Sequence, residues 1–132
     1  MEHKTEYDAE NNILYLTIEG TLSTSEDVNY INNKNVECYN RIGKKVWVAI
    51  NSSKLVTKST KAVTEFSKTN EANSSKYVMG QCFYEISGLQ KVMMSLFNTF
   101  TGKRSVPFNT KEEATAWILE EQKKVGKEAP IK

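Results

Sequence analysis

The stretch that decides the fold is Val46-Trp-Val-Ala-Ile50, five consecutive apolar residues of which three are β-branched. A short, continuously apolar run of this kind is typical of a strand that is covered on both faces. A polar loop, residues 51–54, follows it, and Ser59 then offers a side chain that can cap the start of a helix. Residues 46–50 are therefore predicted to form the central strand of an α/β sheet.

Upstream of this strand, the sequence predicts a β-hairpin and a helix. Residues 8–12 have turn chemistry, and apolar and polar residues alternate from position 14 to position 19, as they do in a half-buried strand. After Gly20, acidic residues and helix-capping side chains precede Val28 and Ile31, whose spacing suits one helical face. This helix is expected to reach about Arg41 and to end at Gly43.

Downstream of the central strand, two helices and a strand are predicted. Ser59 should cap a helix whose inner face carries Ala62, Val63 and Phe66. A second apolar strand is expected over residues 77–83. Residues 86–100 then match the spacing of an amphipathic helix at every apolar position.

The last predicted elements are a short strand and a helix. Residues 105–108 contain a proline, which favours a sheet edge. Thr110 and Glu113 have the spacing of a capping box before a final helix. The tail after Gly126 is expected to be frayed.

The elements give the order β-β-α-β-α-β-α-β-α in a single domain of 132 residues, with a core of about residues 5–122 and a tail from 124 to 132. Strands that alternate with helices predict a mixed, mostly parallel sheet with helices packed on it, and the N-terminal hairpin adds an antiparallel edge.

Composition argues against several classes of protein. The chain has 18 basic and 16 acidic residues that are scattered rather than blocked, which is unlike a dedicated nucleic-acid binder. No signal-peptide pattern opens the chain, and no window approaches the roughly 18 apolar residues of a membrane span. Cys38 and Cys82 lack metal-site spacing, so we expect two buried, reduced thiols and a cytoplasmic protein.

The sequence also lacks the usual residues of catalysis. The single histidine, His3, lies at a terminus that is expected to be mobile, and no glycine-rich phosphate loop or nucleophile motif is present. We therefore expect no enzyme, no cofactor and no metal. An enzyme would have to depend on Glu85 or Tyr84.

One polar site is predicted at the edge of the sheet, because ligands of open α/β sheets bind beyond the carboxyl ends of the strands. The loop after Ile50 should lie beside the loop after Tyr84. Helix capping or turn formation explains any single hydroxyl there, whereas the set suits hydrogen-bonded recognition or phosphorylation. The candidate residues are Asn51, Ser52, Ser53, Thr57, Ser59, Thr60, Tyr84, Glu85 and Ser87.

The predicted helix 86–100 has a wide apolar arc, for which two interpretations remain. It either packs on the sheet under the last helix, or it presents an apolar surface to a partner, a second subunit or a lipid. Its candidate contact residues are Leu89, Met93, Met94, Leu96, Phe97 and Phe100.

Three segments of the chain resemble one known family. They are residues 13–20, residues 46–51 with the following 59–62, and residues 106–118, where Val106-Pro-Phe leads to Glu112-Glu-Ala and Trp117-Ile118. The resemblance is to the SpoIIAA-like branch of the STAS family, the domains related to anti-sigma-factor antagonists and to SEC14-like lipid-binding domains. It covers about residues 5–122.

This resemblance implies a four-helix, mixed-sheet domain that acts through protein contacts. In some members, a Ser or Thr at the start of the helix after the central strand is phosphorylated, and that position falls near Ser59. The Asp-Ser-Ser-Gly pattern of those members is absent here. The expected function is a non-enzymatic regulatory or protein-interaction module that contacts a partner protein or a second copy of itself. The alternative is a binder of a small apolar or lipid-like ligand between the sheet and helix 86–100.

Overall fold

The computed structural model describes residues 1–86 and 106–131. Within them the chain forms six strands and three helices. The strands are β1 (Glu2–Asp8), β2 (Ile13–Leu22), β3 (Val46–Asn51), β4 (Leu55–Thr57), β5 (Val78–Tyr84) and β6 (Val106–Phe108), and the helices are α1 (Ser25–Ile42), α2 (Thr60–Tyr77) and α3 (Lys111–Val125).

The strands form one mixed sheet in the order β1-β2-β3-β5-β6, and β4 pairs with the end of β2. β1 runs antiparallel to β2, whereas the other pairs are parallel. This confirms the predicted antiparallel hairpin edge, the central position of residues 46–50 and the edge position of the proline-containing strand.

Two hydrophobic clusters cover the two faces of the sheet. On one face, Leu14, Leu16 and Ile18 of β2 pack with residues of α1 and α2. On the other, Ile13 and Tyr15 pack with residues of α3. Every residue from 46 to 50 is at most 4% exposed. Burial on both faces is the physical reason why β3 is apolar without interruption.

The helix boundaries follow from capping side chains. Thr24 makes a capping box with Asp27 at the start of α1, and Gly43 ends that helix with φ +81°, a left-handed conformation that glycine adopts without strain. Ser59 and Thr110 accept backbone hydrogen bonds at the starts of α2 and α3. The capping positions predicted at Ser59, Thr110 and Gly43 are confirmed.

The element order differs from the prediction at two places. Residues 55–57 form β4, parallel to Gly20–Leu22, where only a loop was expected. A segment of three residues is too short to show the alternation of a strand in the sequence. The pairing forms because β2 extends beyond the end of β3 and offers its last residues to β4. The predicted strand began at Tyr77, whereas Tyr77 is the last residue of α2 and β5 begins at Val78. No loop separates the helix from the strand. The predicted helix 86–100 lies outside the described residues.

The tail is held in place, contrary to the expectation that it is frayed. The fully buried Asn12 accepts a 2.7 Å hydrogen bond from the Tyr7 hydroxyl, and its Nδ2 donates to the carbonyls of Lys45 and Lys127. The amide of Lys45 donates to the carbonyl of Ala129 at 2.7 Å. Backbone groups of the tail therefore complete the hydrogen bonding of the hairpin turn and of the start of β3.

His3 is also ordered, although a mobile terminus was expected. It lies in β1 opposite Ile18, and its Nε2 is 2.7 Å from Oδ1 of Asn35, a buried residue of α1. Edge-strand pairing with β2 fixes the N-terminus, which is a tertiary effect that no local pattern shows.

Candidate functional site

The carboxyl ends of β3 and β5 bring Asn51 and Glu85 together. Nδ2 of Asn51 donates a 2.6 Å hydrogen bond to Oε2 of Glu85. Oδ1 of Asn51 accepts hydrogen bonds from the amide and the hydroxyl of Ser53, at 3.0 and 2.7 Å. The predicted juxtaposition of the two loops is therefore present, and Asn51 is the residue that joins them.

Glu85 has an uncommon backbone conformation. Its φ is +57°, in the left-handed region that non-glycine residues rarely adopt, and its amide donates to the carbonyl of Phe108 at 3.1 Å. Its side chain is exposed. Strained backbone of this kind persists where the surroundings hold it, and it is enriched at functional sites.

Several hydroxyls and lysines lie in β4 and at the start of α2, which follow Asn51 in the chain. Ser59 accepts a hydrogen bond from the amide of Ala62, Thr60 is the first helical residue and Thr57 lies in β4. Val56, the middle residue of β4, is 51% exposed. Exposed lysines flank it on both sides in the sequence at positions 54, 58 and 61.

A polar groove lies on the face of the sheet that α3 covers, next to the first turn of that helix. Its volume is about 210 Å³, and its lining includes Lys4, Glu6, Tyr15, Thr17, Tyr84 and Lys111. The register pairs Lys4 with Thr17 and Glu6 with Tyr15, and cross-strand partners lie on the same face of a sheet. The antiparallel hairpin therefore builds half of this groove.

The Tyr15, Thr17 and Tyr84 hydroxyls of the groove are each in contact with another hydroxyl. The Tyr15 and Thr115 hydroxyls are 2.7 Å apart, and the Thr17 hydroxyl bonds to that of Tyr84. Tyr84 is only 5% exposed, and its burial, with the nearby charges of Glu85 and Glu6, raises the pKa of its phenol above the usual 10.0. The Tyr84 hydroxyl is thus a protonated hydrogen-bond donor at neutral pH.

Both cysteines are free and buried, as predicted. Burial raises the pKa of Cys82 to about 12, so its thiol stays protonated and unreactive. In residues 1–86 and 106–131, no three His, Cys, Asp or Glu side chains cluster as metal ligands would. Of the helices in this part of the chain, none has the length and apolarity needed to cross a bilayer.

The predicted polar site is divided by the fold. Asn51, Ser53 and Glu85 form one cluster, and Thr57, Ser59 and Thr60 surround the start of α2. Ser52 lies in the turn between them, where its carbonyl accepts from the amide of Leu55. Tyr84 points its buried ring into the groove on the α3 side. Ser87 and the apolar candidates Leu89, Met93, Met94, Leu96, Phe97 and Phe100 lie outside the described residues.

Sequence reasoning missed the groove. Its lysines and its glutamate belong to β1 and to the first turn of α3, and both segments read as ordinary charged surface. The alternation in β2 does place Tyr15 and Thr17 on one face, opposite Leu14 and Leu16. That alternation was the available signal, since two neighbouring polar side chains on a face covered by a helix need hydrogen-bond partners.

Comparison with known proteins shows similarity in structure only. No family model matches the chain, and no curated protein matches its sequence. An uncharacterized protein of the DUF3478 family with a SpoIIAA-like fold, from Shewanella loihica, is similar with a TM-score of 0.64 and 18% identity over 89% of this chain and 92% of the other.

Three further solved structures have the same fold. The Bacillus cell fate determinant SpoIIAA in its phosphorylated form has a TM-score of 0.53 and 14% identity over 89% of this chain and 99% of the other, and the unphosphorylated form, described as an anti-sigma factor antagonist, is similar to the same degree over 98% of its length. A STAS domain protein from Planctomyces limnophilus has a TM-score of 0.54 and 9% identity over 89% and 97%. The chain therefore has the SpoIIAA-like fold of STAS domains.

Proposed function

We propose that this chain is a regulatory protein-interaction module and that it contacts its partner through the α2-entry surface, which we define as residues 53–61 together with Glu85. The observation that carries the proposal is an exposed apolar side chain, Val56, that exposed polar and charged residues flank on both sides in the sequence. An apolar centre with a polar rim is the common anatomy of a protein interface.

The charge of this surface specifies the partner. Lys54, Lys58 and Lys61 are exposed, and the one carboxylate of the surface is that of Glu85, which accepts a hydrogen bond from Asn51. Glu19 is 3.9 Å from the Lys54 ammonium, whereas no carboxylate of the described residues pairs with Lys58 or Lys61. A partner with an acidic, partly apolar contact segment would complement this surface.

Ser59 is the residue at which such a contact would be regulated. Its hydroxyl caps α2, so a phosphate attached to it would lie at the helix N-terminus, where amide groups and the helix dipole favour negative charge. Phosphorylation would also reverse the local charge next to Lys58. One relative in fold, SpoIIAA, is known in phosphorylated and unphosphorylated forms, which supports Ser59 as a candidate acceptor.

Binding explains the side chains of this edge better than catalysis. The Glu85 carboxylate is exposed and accepts a hydrogen bond from Asn51, and Glu6 pairs with Lys111 at 3.3 Å. Both carboxylates are therefore already engaged by neighbouring side chains. The imidazole of His3, the single histidine, contacts Asn35 of α1 and lies near neither of them.

The experiment compares two exposed valines. Tagged wild-type protein, Val56→Asp and Val125→Asp should be captured from lysate of the source cells after brief cross-linking, and partners quantified by mass spectrometry. Val125 is 58% exposed on α3, so it is the matched control. We expect a partner that Val56→Asp loses and Val125→Asp retains. Equal recovery in both variants would refute the α2-entry surface, and equal circular dichroism spectra would show that both variants fold.

The alternative function, binding of a lipid-like ligand beside residues 86–100, involves residues outside the described part of the chain. Native mass spectrometry after mild extraction tests it together with the oligomeric state. A co-purifying mass that disappears in Phe97→Asp would favour the ligand, whereas a protein dimer without added mass would favour contact with a second copy.

A further inference from the structure

The groove beside the first turn of α3 has the chemistry of a small-ligand site that is separate from the α2-entry surface. Its lining brings together two ammonium groups, one carboxylate and the hydroxyls of Thr17 and Tyr84, on elements far apart in the sequence. A volume of about 210 Å³ is smaller than a drug-sized site and suits a compact molecule.

The charges of the lining favour an anion. Lys4 and Lys111 carry two positive charges against the single negative charge of Glu6. The Tyr84 hydroxyl is a donor at neutral pH, and Thr17 can donate or accept. Two cations and two hydroxyls around one cavity match the several acceptor oxygens of a carboxylate or a phosphate group.

The ion pairs already present would not prevent such binding. Lys111 is 3.3 Å from Glu6 and 4.3 Å from the centre of the Tyr15 ring. Lys4 is 3.4 Å from Glu2 and 3.9 Å from Glu19. The side chains of Glu2 and Glu6 are 64% and 72% exposed, and Glu19, which is 26% exposed, lies at the longest of these distances and is shared with Lys54. Exposed pairs contribute about 0–1 kcal/mol, so an anion that accepts hydrogen bonds from several groups of the groove can displace them.

We propose that this groove binds the anionic group of a small molecule, a carboxylate or a phosphate, with Lys111 and Lys4 as the cationic contacts and the Thr17 and Tyr84 hydroxyls as the neutral ones. Glu6 competes for Lys111 and thereby sets the affinity. This proposal does not depend on the α2-entry surface, because the two sites share no residue.

The test is a titration of ¹⁵N-labelled protein with sodium acetate and with inorganic phosphate, each against sodium chloride at the same ionic strength. We expect saturable shifts of the Thr17, Tyr84 and Lys111 amides with at least one of the two anions and not with chloride. The anion whose shifts saturate at the lower concentration shows whether the groove prefers a carboxylate or a phosphate group. Shifts that do not saturate, or that chloride reproduces, would overturn the proposal.

Variants separate a binding role from a structural one. Lys111→Met should lower the affinity for the saturating anion about tenfold. Lys123→Met should leave that affinity unchanged, since Lys123 is an ion-paired lysine of the same helix that lies outside the groove. Glu6→Gln should strengthen binding, because it removes the competing carboxylate. Equal affinity in the two lysine variants, or weaker binding in Glu6→Gln, would refute the site.

Discussion

Nδ2 of Asn51 donates to Oε2 of Glu85 over a distance of 2.6 Å, although the two residues are 34 positions apart in the sequence. Asn51 is the last residue of β3 and Glu85 directly follows β5, and these two parallel strands are neighbours in the sheet. The hydrogen bond therefore links the two loops at the edge where parallel sheets usually bind ligands.

The backbone conformation of Glu85 gives a first prediction. A Cβ at φ +57° is strained, and glycine has no Cβ. Glu85→Gly and Glu85→Ala both lose the hydrogen bond from Asn51, but only the alanine keeps the strain. The free energy of unfolding in urea should therefore be about 1 kcal/mol higher for Glu85→Gly than for Glu85→Ala. Equal stability of the two variants would show that the loop relaxes when the glutamate is removed.

Asn12 gives a second prediction, because it is the fully buried residue that joins the hairpin turn to the tail. Asn12→Ala leaves the Tyr7 hydroxyl and two carbonyls without this partner, and we expect a loss of about 3 to 5 kcal/mol in the free energy of unfolding. Asn12→Gly should lose about 1 kcal/mol less, since φ is +55° at this position. Urea denaturation measures both values, and a small loss in both would show that water replaces the side chain.

Gly80 and Trp47 give a third prediction. A Cβ added at Gly80 would lie 2.5 Å from Cζ3 of Trp47, whose side chain is buried in the α3-side cluster. Gly80→Ala should therefore cost about 1–3 kcal/mol through overpacking. Trp47→Leu makes room for the methyl group, so the double variant should be more stable than the sum of the single losses predicts. A double-mutant cycle by urea denaturation would measure this coupling, and additivity would contradict the close packing.

His3 gives a prediction about pH. Burial is the largest cause that lowers the pKa of this imidazole below 6.5, and Lys34 lowers it further, whereas the Asn35 hydrogen bond and Glu37 raise it. The unfolded chain therefore takes up a proton at a higher pH than the folded one. The stabilisation is complete above the unfolded pKa and is lost as the pH falls through the folded pKa.

We expect the free energy of unfolding to fall when the pH is lowered from about 7.5 to about 5.5, and this dependence should be weaker in His3→Gln. Because the chain has a single histidine, the difference between the two slopes reports on His3 alone. Identical slopes would mean that the imidazole is exposed in solution.

Much of the architecture followed from local patterns. The uninterrupted apolar run of β3 indicated burial on both faces, and the alternation in β2 indicated a hairpin strand that is buried on one face. The burial of Ile13 and Tyr15 on the other face of β2, beneath α3, was not expected. Ser59, Thr110 and Gly43 marked helix ends because their side chains, or the lack of one, satisfy terminal backbone groups. These signals are local and are therefore readable in sequence.

The candidate site was predicted only in part. The loops that follow neighbouring parallel strands lie at the same edge of a sheet, and from this the sequence correctly predicted that Asn51 and Glu85 lie close together. It could not show that Tyr84 points into a groove on the α3 side or that Lys111 and Glu6 meet there. Those contacts join positions more than 20 residues apart and depend on the register of β1 with β2 and on where α3 begins over the sheet.

The sequence by itself determined the layers of this protein, because periodicity, capping and burial are encoded residue by residue. The tertiary structure alone decided the ordered N- and C-terminal segments, the pairing of β4 and the polar groove. Each of these depends on backbone or side-chain groups that find their hydrogen-bond partners only after distant strands have paired. His3 and Ala129 show this directly, since each is fixed by a residue that lies more than 30 positions away.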